Sequence, residues 1–324
     1  MRAISITADH DLESVEIPEP VPAPGEVLVD VVAAGVNRAD LAQTAGHYPP
    51  PPGASELPGL EVSGHRRDTG EPVVALLAGG GYAEVVAVPE GQLLPAPEGL
   101  SLVDAAGVVE AAATVVSNLV LEAGLREGET ILVHGGTGGI GTVAIQLARH
   151  LGARVMTTVG SDEAIPLVRE LGADLAWNRR TTDLPAAVHE AGGADVILDV
   201  VGGPALGDHV GMLRETGRLV IIGTLGGASG ELPIGALMAR RGRVIGTTLR
   251  SRPVENKRAI LEATRYVAWP LLAEHVLQIP IHARIPLERA AEAHAILREG
   301  GHVGKVVLEV APGAARGRRR RGAS

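Results

Sequence analysis

The segment Thr130-Ile131-Leu132-Val133-His134-Gly135-Gly136-Thr137-Gly138-Gly139-Ile140-Gly141 carries more information than any other in this 324-residue chain. Thr130 to Val133 are branched side chains in a row, which predicts a buried strand. Gly136, Gly138 and Gly141 follow at G-x-G-x-x-G spacing, and Val143-Ala144-Ile145-Gln146-Leu147-Ala148 continue as a helix with an apolar face. In that strand, turn and helix setting the glycines permit a tight turn and a close approach to a pyrophosphate. The helix start, through Gly139, Ile140 and Gly141, offers free N–H groups and a partial positive charge. The plainer reading is a Gly-rich turn that binds nothing; the β/α units that follow favour a dinucleotide. His134 reads as a strand-end packing residue.

Outward from this segment the alternation repeats. Runs at 130–134, 154–159, 174–178, 195–199, 218–222 and 243–248 read as six strands with helices between most of them, an α/β doubly wound parallel sheet. Residues 1 to about 100 differ: Val27-Leu28-Val29-Asp30-Val31-Val32, Pro72-Val73-Val74-Ala75-Leu76-Leu77 and Ala83-Glu84-Val85-Val86-Ala87-Val88 are short strands bounded by Pro and Gly. Residues 104–125 read as one long helix rich in Ala, Val and Leu. Beyond Pro253 the pattern predicts a helix at 255–278, a strand at 281–285, a helix at 287–297 and a strand at 303–310. These have no place in a six-stranded sheet and are expected to return to the N-terminal unit.

Composition narrows the chemistry. The chain has no Cys, which excludes disulfides, thiolate zinc sites, iron–sulfur clusters and a Cys nucleophile. Lys plus Arg number 29 against 38 Asp plus Glu, for a net charge of −9. Residues 311–324 hold Arg316 and Arg318 through Arg321 and no acid, so the remainder is more acidic still. A nucleic-acid surface on the body is disfavoured. The basic end has too little apolar content to pack and is expected to be disordered. No apolar leader follows Met1, so a cytoplasmic location is expected. The charge-free run 130–148 holds too many Gly and Thr for a membrane span.

Cofactor choice turns on the end of the second strand, where NAD-binding units place a carboxylate for the ribose 2′-hydroxyl. Here the strand ends in Gly160-Ser161, and acids appear only at Asp162 and Glu163. Ser161 either donates to a 2′-phosphate or caps the next helix. Arg179 and Arg180 either reach that phosphate or are solvated loop arginines. The missing carboxylate favours NADPH.

Asn37-Arg38-Ala39-Asp40-Leu41, Gly46-His47-Tyr48-Pro49-Pro50-Pro51-Pro52-Gly53, Gly59-Leu60-Glu61-Val62-Ser63-Gly64, the glycine fingerprint, Leu249-Arg250-Ser251-Arg252 and Gly304-Lys305-Val306-Val307-Leu308 together resemble the zinc-free quinone oxidoreductase (zeta-crystallin-like) branch of the medium-chain dehydrogenase/reductase superfamily. The resemblance implies a GroES-like β-rich catalytic domain (1–119 and 257–311) interrupted by a Rossmann domain (120–256), with 312–324 as a tail. It implies a homodimer in which NADPH, bound between the domains, gives hydride directly to a quinone or enone. It implies Asn37 and Asp40 at the cleft floor, Tyr48 above the substrate as hydrogen-bond donor, and Thr114 at the nicotinamide. Gly223 and Leu225 after the fifth strand, with Leu249, Arg250 and Lys305, complete the implied cleft. Each has a plainer reading: Tyr48 as loop packing, Thr114 bonding back to its own helix, Lys305 as a solvated strand residue.

Zinc-dependent members carry a His in the motif that here reads Gly59-Leu60-Glu61, plus cysteine ligands; this chain has neither, so no metal is expected. Three departures stand out. The connection 65–72 is short, so a hairpin is clipped. Ala111-Ala112-Ala113 replace bulky aromatics of close relatives, which reshapes the pocket. Ala164 stands where relatives often place a Lys for the 2′-phosphate. The rival enzyme reading is an enoyl-thioester reductase, and a rival of another class is a nucleotide-gated protein whose Arg tail touches RNA or an acidic partner.

Overall fold

The structure is a computed structural model and describes residues 1–310. The fingerprint strand Thr130–Val133 lies inside a six-stranded parallel sheet. Its spatial order is Leu175–Asn178, Arg154–Val159, Thr130–Val133, Ala194–Asp199, Leu213–Ile221 and Arg243–Gly246. All six strands legible in the sequence are present; the fifth begins earlier than expected, at Leu213. Ile131 stands opposite Val155 on one side and Val196 on the other. Winding reverses between these neighbours, which opens a crevice beyond their carboxyl ends. Strands buried on both faces are predominantly apolar and rich in branched side chains, and Ile131, Leu132, Val155, Met156, Ile197 and Leu198 are all shielded from solvent.

A second, largely antiparallel sheet of seven strands contains Glu26–Val36, Glu61–Arg66, Pro72–Leu76, Val85–Pro89 and Leu93–Pro95. The last strands of the described chain, Ile281–Pro286 and Lys305–Glu309, join it, with Val307 paired to Gly35. The polypeptide therefore leaves this sheet, builds the parallel one and returns. Between Glu61–Arg66 and Pro72–Leu76 the clipped connection is a tight turn closed by the Gly70 N–H on the Arg66 carbonyl at 2.7 Å.

The single helix expected at 104–125 is instead three pieces: Leu102–Ala105, Val109–Val115 and a π-helical stretch Val116–Glu122. The first break falls at 106–108, where a side chain on Gly107 would press on Lys305 at 3.1 Å. Glycine is a weak helix former and permits that approach. The stretch Leu102–Glu122 is long and apolar enough to cross a membrane, but 78% of it is buried inside the protein, as a core helix is. The helix expected at 255–278 spans Val254–Ala273. It ends ahead of His275, whose φ of 58° belongs to the left-handed region that stops helices. The basic end anticipated at 312–324 lies outside the described residues.

The two sheets are joined at the fingerprint. The Gly304 N–H donates to the Thr137 carbonyl at 2.8 Å, so Gly138 and Gly304 form a bridge of parallel backbone.

Candidate active site

At the crevice, the helix Gly139–His150 begins after Gly138 with no side-chain cap. The first-turn amides of Gly139, Ile140 and Gly141 have no partner within the helix. The turn ahead of them is held by the Gly136 N–H on the Thr158 carbonyl at 2.9 Å. A Cβ at Gly141 would collide with the Gly135 carbonyl, so only glycine lets the helix start this close to the strand. This cradle fits a pyrophosphate. Gly223 lies against the Val200 backbone, and Leu225, 65% exposed, donates its N–H to the Val200 carbonyl at 3.1 Å, on the rim of the same crevice.

The end of the second strand is open: nothing lies within 4 Å of a Cβ built on Gly160. Ser161 occupies the N-cap position of the short turn Asp162–Ala164 but makes no cap bond with its side chain. Its hydroxyl bonds the Glu163 carboxylate, which its own amide first and Ser161 second hold below the usual range. Arg179 is pinned beside this strand end by its N–H on the Val159 carbonyl at 3.0 Å. Across the crevice Arg38 feels it: burial first and the Arg179 charge second lower the Arg38 pKa. Among the described residues neither arginine pairs with an acid. Arg38 did not stand out in the sequence; its only signal was its place in the Asn37-Arg38-Ala39-Asp40 motif.

The floor is a buried polar network assembled from distant segments. Lys305 Nζ donates to Glu61 Oε1 at 2.6 Å and to Asn37 Oδ1 at 2.5 Å, and Asn37 Nδ2 donates to Glu61 Oε1 at 3.1 Å. Glu61 Oε2 accepts the Glu110 N–H at 3.0 Å, and the Thr114 hydroxyl donates to Glu110 Oε1 at 3.2 Å. Asp40, fully buried, accepts from the N–H groups of Asn37 and Gly59 and from the Tyr82 hydroxyl. Burial pushes the Asp40 carboxyl up to about 6 against those donors, and pushes Glu110 up to about 7. The methylenes of Lys305 lie against the fingerprint, with Cδ in the space that a Gly139 Cβ would need. Lys305 is thus no solvated strand residue. Glu61, Tyr82 and Glu110 escaped the sequence reading, although Glu110 is the lone acid in an Ala/Val run.

Tyr48 stands at the other wall. Its hydroxyl is 3.3 Å from Thr248 Oγ1, and the Arg250 guanidinium lies 5.1 Å from its ring centre. Arg250 also donates to the carbonyls of Tyr48 and Ala78 and to the Gln43 side chain, so it fastens the loop that carries Tyr48. Leu249 is half-buried against the apolar cluster around Val74 and Leu76.

The pattern of the zinc-binding dehydrogenases matches residues 139–264. A quinone oxidoreductase of Mus musculus is 30% identical over 89% of this chain and 90% of its own length. The chain belongs to the quinone oxidoreductase family. A solved quinone oxidoreductase of Thermus thermophilus, studied also in complex with NADPH, superposes with a TM-score of 0.84 at 34% identity, over 95% of this chain and all of that one. A mycocerosic acid synthase-like polyketide synthase of Mycolicibacterium smegmatis is 31% identical over 93% of this chain, which corresponds to 15% of that much longer protein. Among the described residues of this quinone oxidoreductase family member, no group of three or more His, Asp or Glu side chains is arranged to hold a metal.

Proposed function

We propose that this protein is an NADPH-dependent oxidoreductase that reduces a quinone or another activated alkene or carbonyl without zinc. The observation that carries the reading is the uncapped, glycine-lined helix start against which Lys305, bonded to Asn37, is packed. Bound there, NADPH supplies the electron pair as hydride. The protein binds, orients and polarises. Gly136, Gly138, Gly139, Ile140 and Gly141 receive the pyrophosphate, and Gly160, Ser161 and Arg179, with Arg38 facing them, receive the 2′-phosphate. Two arginines without acidic partners are under-neutralised and gain from an anion. Tyr48, whose phenolic hydroxyl is a hydrogen-bond donor, donates to the acceptor. Gly223, Leu225, Leu249 and Arg250 shape the remainder of the cleft.

Domain limits of 1–119 with 257–311 and of 120–256 fit this division, as does a cytoplasmic homodimer. Support for the dimer comes from the edge strand Arg243–Gly246 and from Leu225, Ile234 and Met238, apolar side chains exposed near it. The polyketide synthase relative supports a second reading, reduction of an enoyl thioester.

The test is a screen of NADPH and NADH against quinones, enones and a crotonyl thioester. Faster turnover of quinones or enones with NADPH is expected. Preference for the thioester selects the second reading, and no oxidation of NADPH with any acceptor rejects both.

A further inference from the structure

Glu110, Thr114 and Asn118 recur every four residues and so share one side of the helical stretch after the break at Gly107. Its other sides are occupied: Ala111, Ala112 and Val115 pack into the core of the parallel sheet, and Val109 and Ala113 against Val74 and Leu76 of the second sheet. The polar side therefore runs along the seam between the domains. At one end Glu110 meets Glu61, which holds Lys305 against the fingerprint. At the other, Asn118 Oδ1 accepts from the Thr247 hydroxyl at 2.6 Å, one residue from the Thr248 that contacts Tyr48. Thr114 sits midway.

We propose that Glu110 and Thr114 are a two-member relay that delivers the proton to the acceptor oxygen, an inference that rests on the reductase reading above.

The charges around Glu110 favour a carboxyl that keeps its proton. One ammonium, Lys305, faces three carboxyls: Glu61 and Asp40 from the second sheet's side, and Glu110 itself. Lys305 is committed to Glu61 at 2.6 Å, and Asp40 has three donors of its own, whereas among the described residues the Glu110 carboxyl has only Thr114. Burial first, then the charges of Glu61 and Asp40 against the opposing Lys305, leave Glu110 titrating near neutrality. A general acid works best there. Glu110 is also partly exposed, so water can return the proton.

The step balances simply. The acceptor takes two electrons with the hydride, and negative charge develops on its oxygen. The Thr114 hydroxyl, which donates to Glu110 Oε1 at rest, turns to that oxygen and gives it its proton as the protonated Glu110 carboxyl gives its own to Thr114 Oγ1 across the same contact. One O–H bond forms and one breaks at the threonine, and Glu110 is left as carboxylate.

The test compares the unaltered protein with Glu110→Gln, Thr114→Val and Thr114→Ser. By infrared titration without cofactor, two carboxyl bands are expected in the unaltered protein, one that loses its proton near pH 6 from Asp40 and one near pH 7 from Glu110, and only the first in Glu110→Gln. With saturating NADPH and a quinone or enone, kcat of the unaltered protein should fall as pH rises through neutrality. Glu110→Gln should be roughly a hundredfold slower and lack that inflection; Thr114→Val should behave alike, and Thr114→Ser should recover most of the rate. NADPH affinity of Glu110→Gln, by fluorescence titration, should stay within about twofold of the unaltered protein's, which separates chemistry from misfolding. A Glu110→Gln protein that binds NADPH normally and keeps both rate and inflection overturns the relay. So does survival of the band near pH 7 in Glu110→Gln. Absence of turnover by the unaltered protein with every acceptor overturns the reductase reading, and the relay with it.

Discussion

Arg250 holds Tyr48 twice, by a hydrogen bond to its carbonyl at 2.9 Å and by a guanidinium 5.1 Å from its ring centre. Arg250→Ala removes these and leaves the Ala78 carbonyl and the Gln43 side chain without their donor. The loop 46–53 should then become more sensitive to protease, and stability should fall by about 2 kcal/mol in urea unfolding. Tyr48→Phe should lower turnover while protease sensitivity stays as it was. A Tyr48→Phe rate equal to that of the unaltered protein at saturating acceptor means the ring only packs.

Lys305 and Glu61 form an ion pair from which solvent is excluded. Removing one member strands the other charge, so Lys305→Met should cost about 3–5 kcal/mol of stability. Adding Glu61→Gln should restore much of that loss, because the stranded carboxylate is gone. Additive losses in the double variant would contradict this account; chemical denaturation of the four proteins decides it.

Cofactor selectivity tests the open strand end at Gly160. Ser161→Ala combined with Arg179→Ala should raise the NADPH Michaelis constant about tenfold, the weight of one charge-assisted hydrogen bond, and leave NADH nearly unchanged. Equal effects on both cofactors would remove these residues from the 2′-phosphate.

The pH dependence of folding should carry the mark of His134. This ring stacks on His209 at 4.5 Å, is almost wholly buried, and burial first and His209 second depress its pKa to about 3. In the unfolded chain it takes a proton near 6.5. Between those values the unfolded state binds more protons, so stability falls as pH drops from about 6.5 towards 3. His134→Gln should make that decline shallower in equilibrium unfolding at a series of pH values; an unchanged slope would place the acid sensitivity elsewhere, His294 being the next such ring.

The parallel sheet was legible because strands covered on both faces must be branched and apolar, and because glycines mark where each one turns. The fingerprint was legible for the same local reason. The floor of the crevice was not. Glu61, Glu110 and Lys305 lie far apart in sequence, and only the return of Lys305–Glu309 beside Glu26–Val36 brings them together. Arg250 was visible as a conspicuous arginine, but two of its partners are carbonyls, which every residue has. The break at Gly107 was hidden because the Lys305 side chain that presses there comes from the other end of the chain.

The bond from the Gly304 N–H to the Thr137 carbonyl joins the two units through main-chain atoms alone. Its strength does not depend on which side chain stands at position 137, so that half of the seam is free to drift in evolution without loosening the joint. The restriction falls on its partner: Gly304 has a φ of 77°, and a Cβ there would strike the Pro280 carbonyl. Tolerance to divergence is thus unequal across one hydrogen bond, and a library randomised at both positions should return many residues at 137 and glycine at 304.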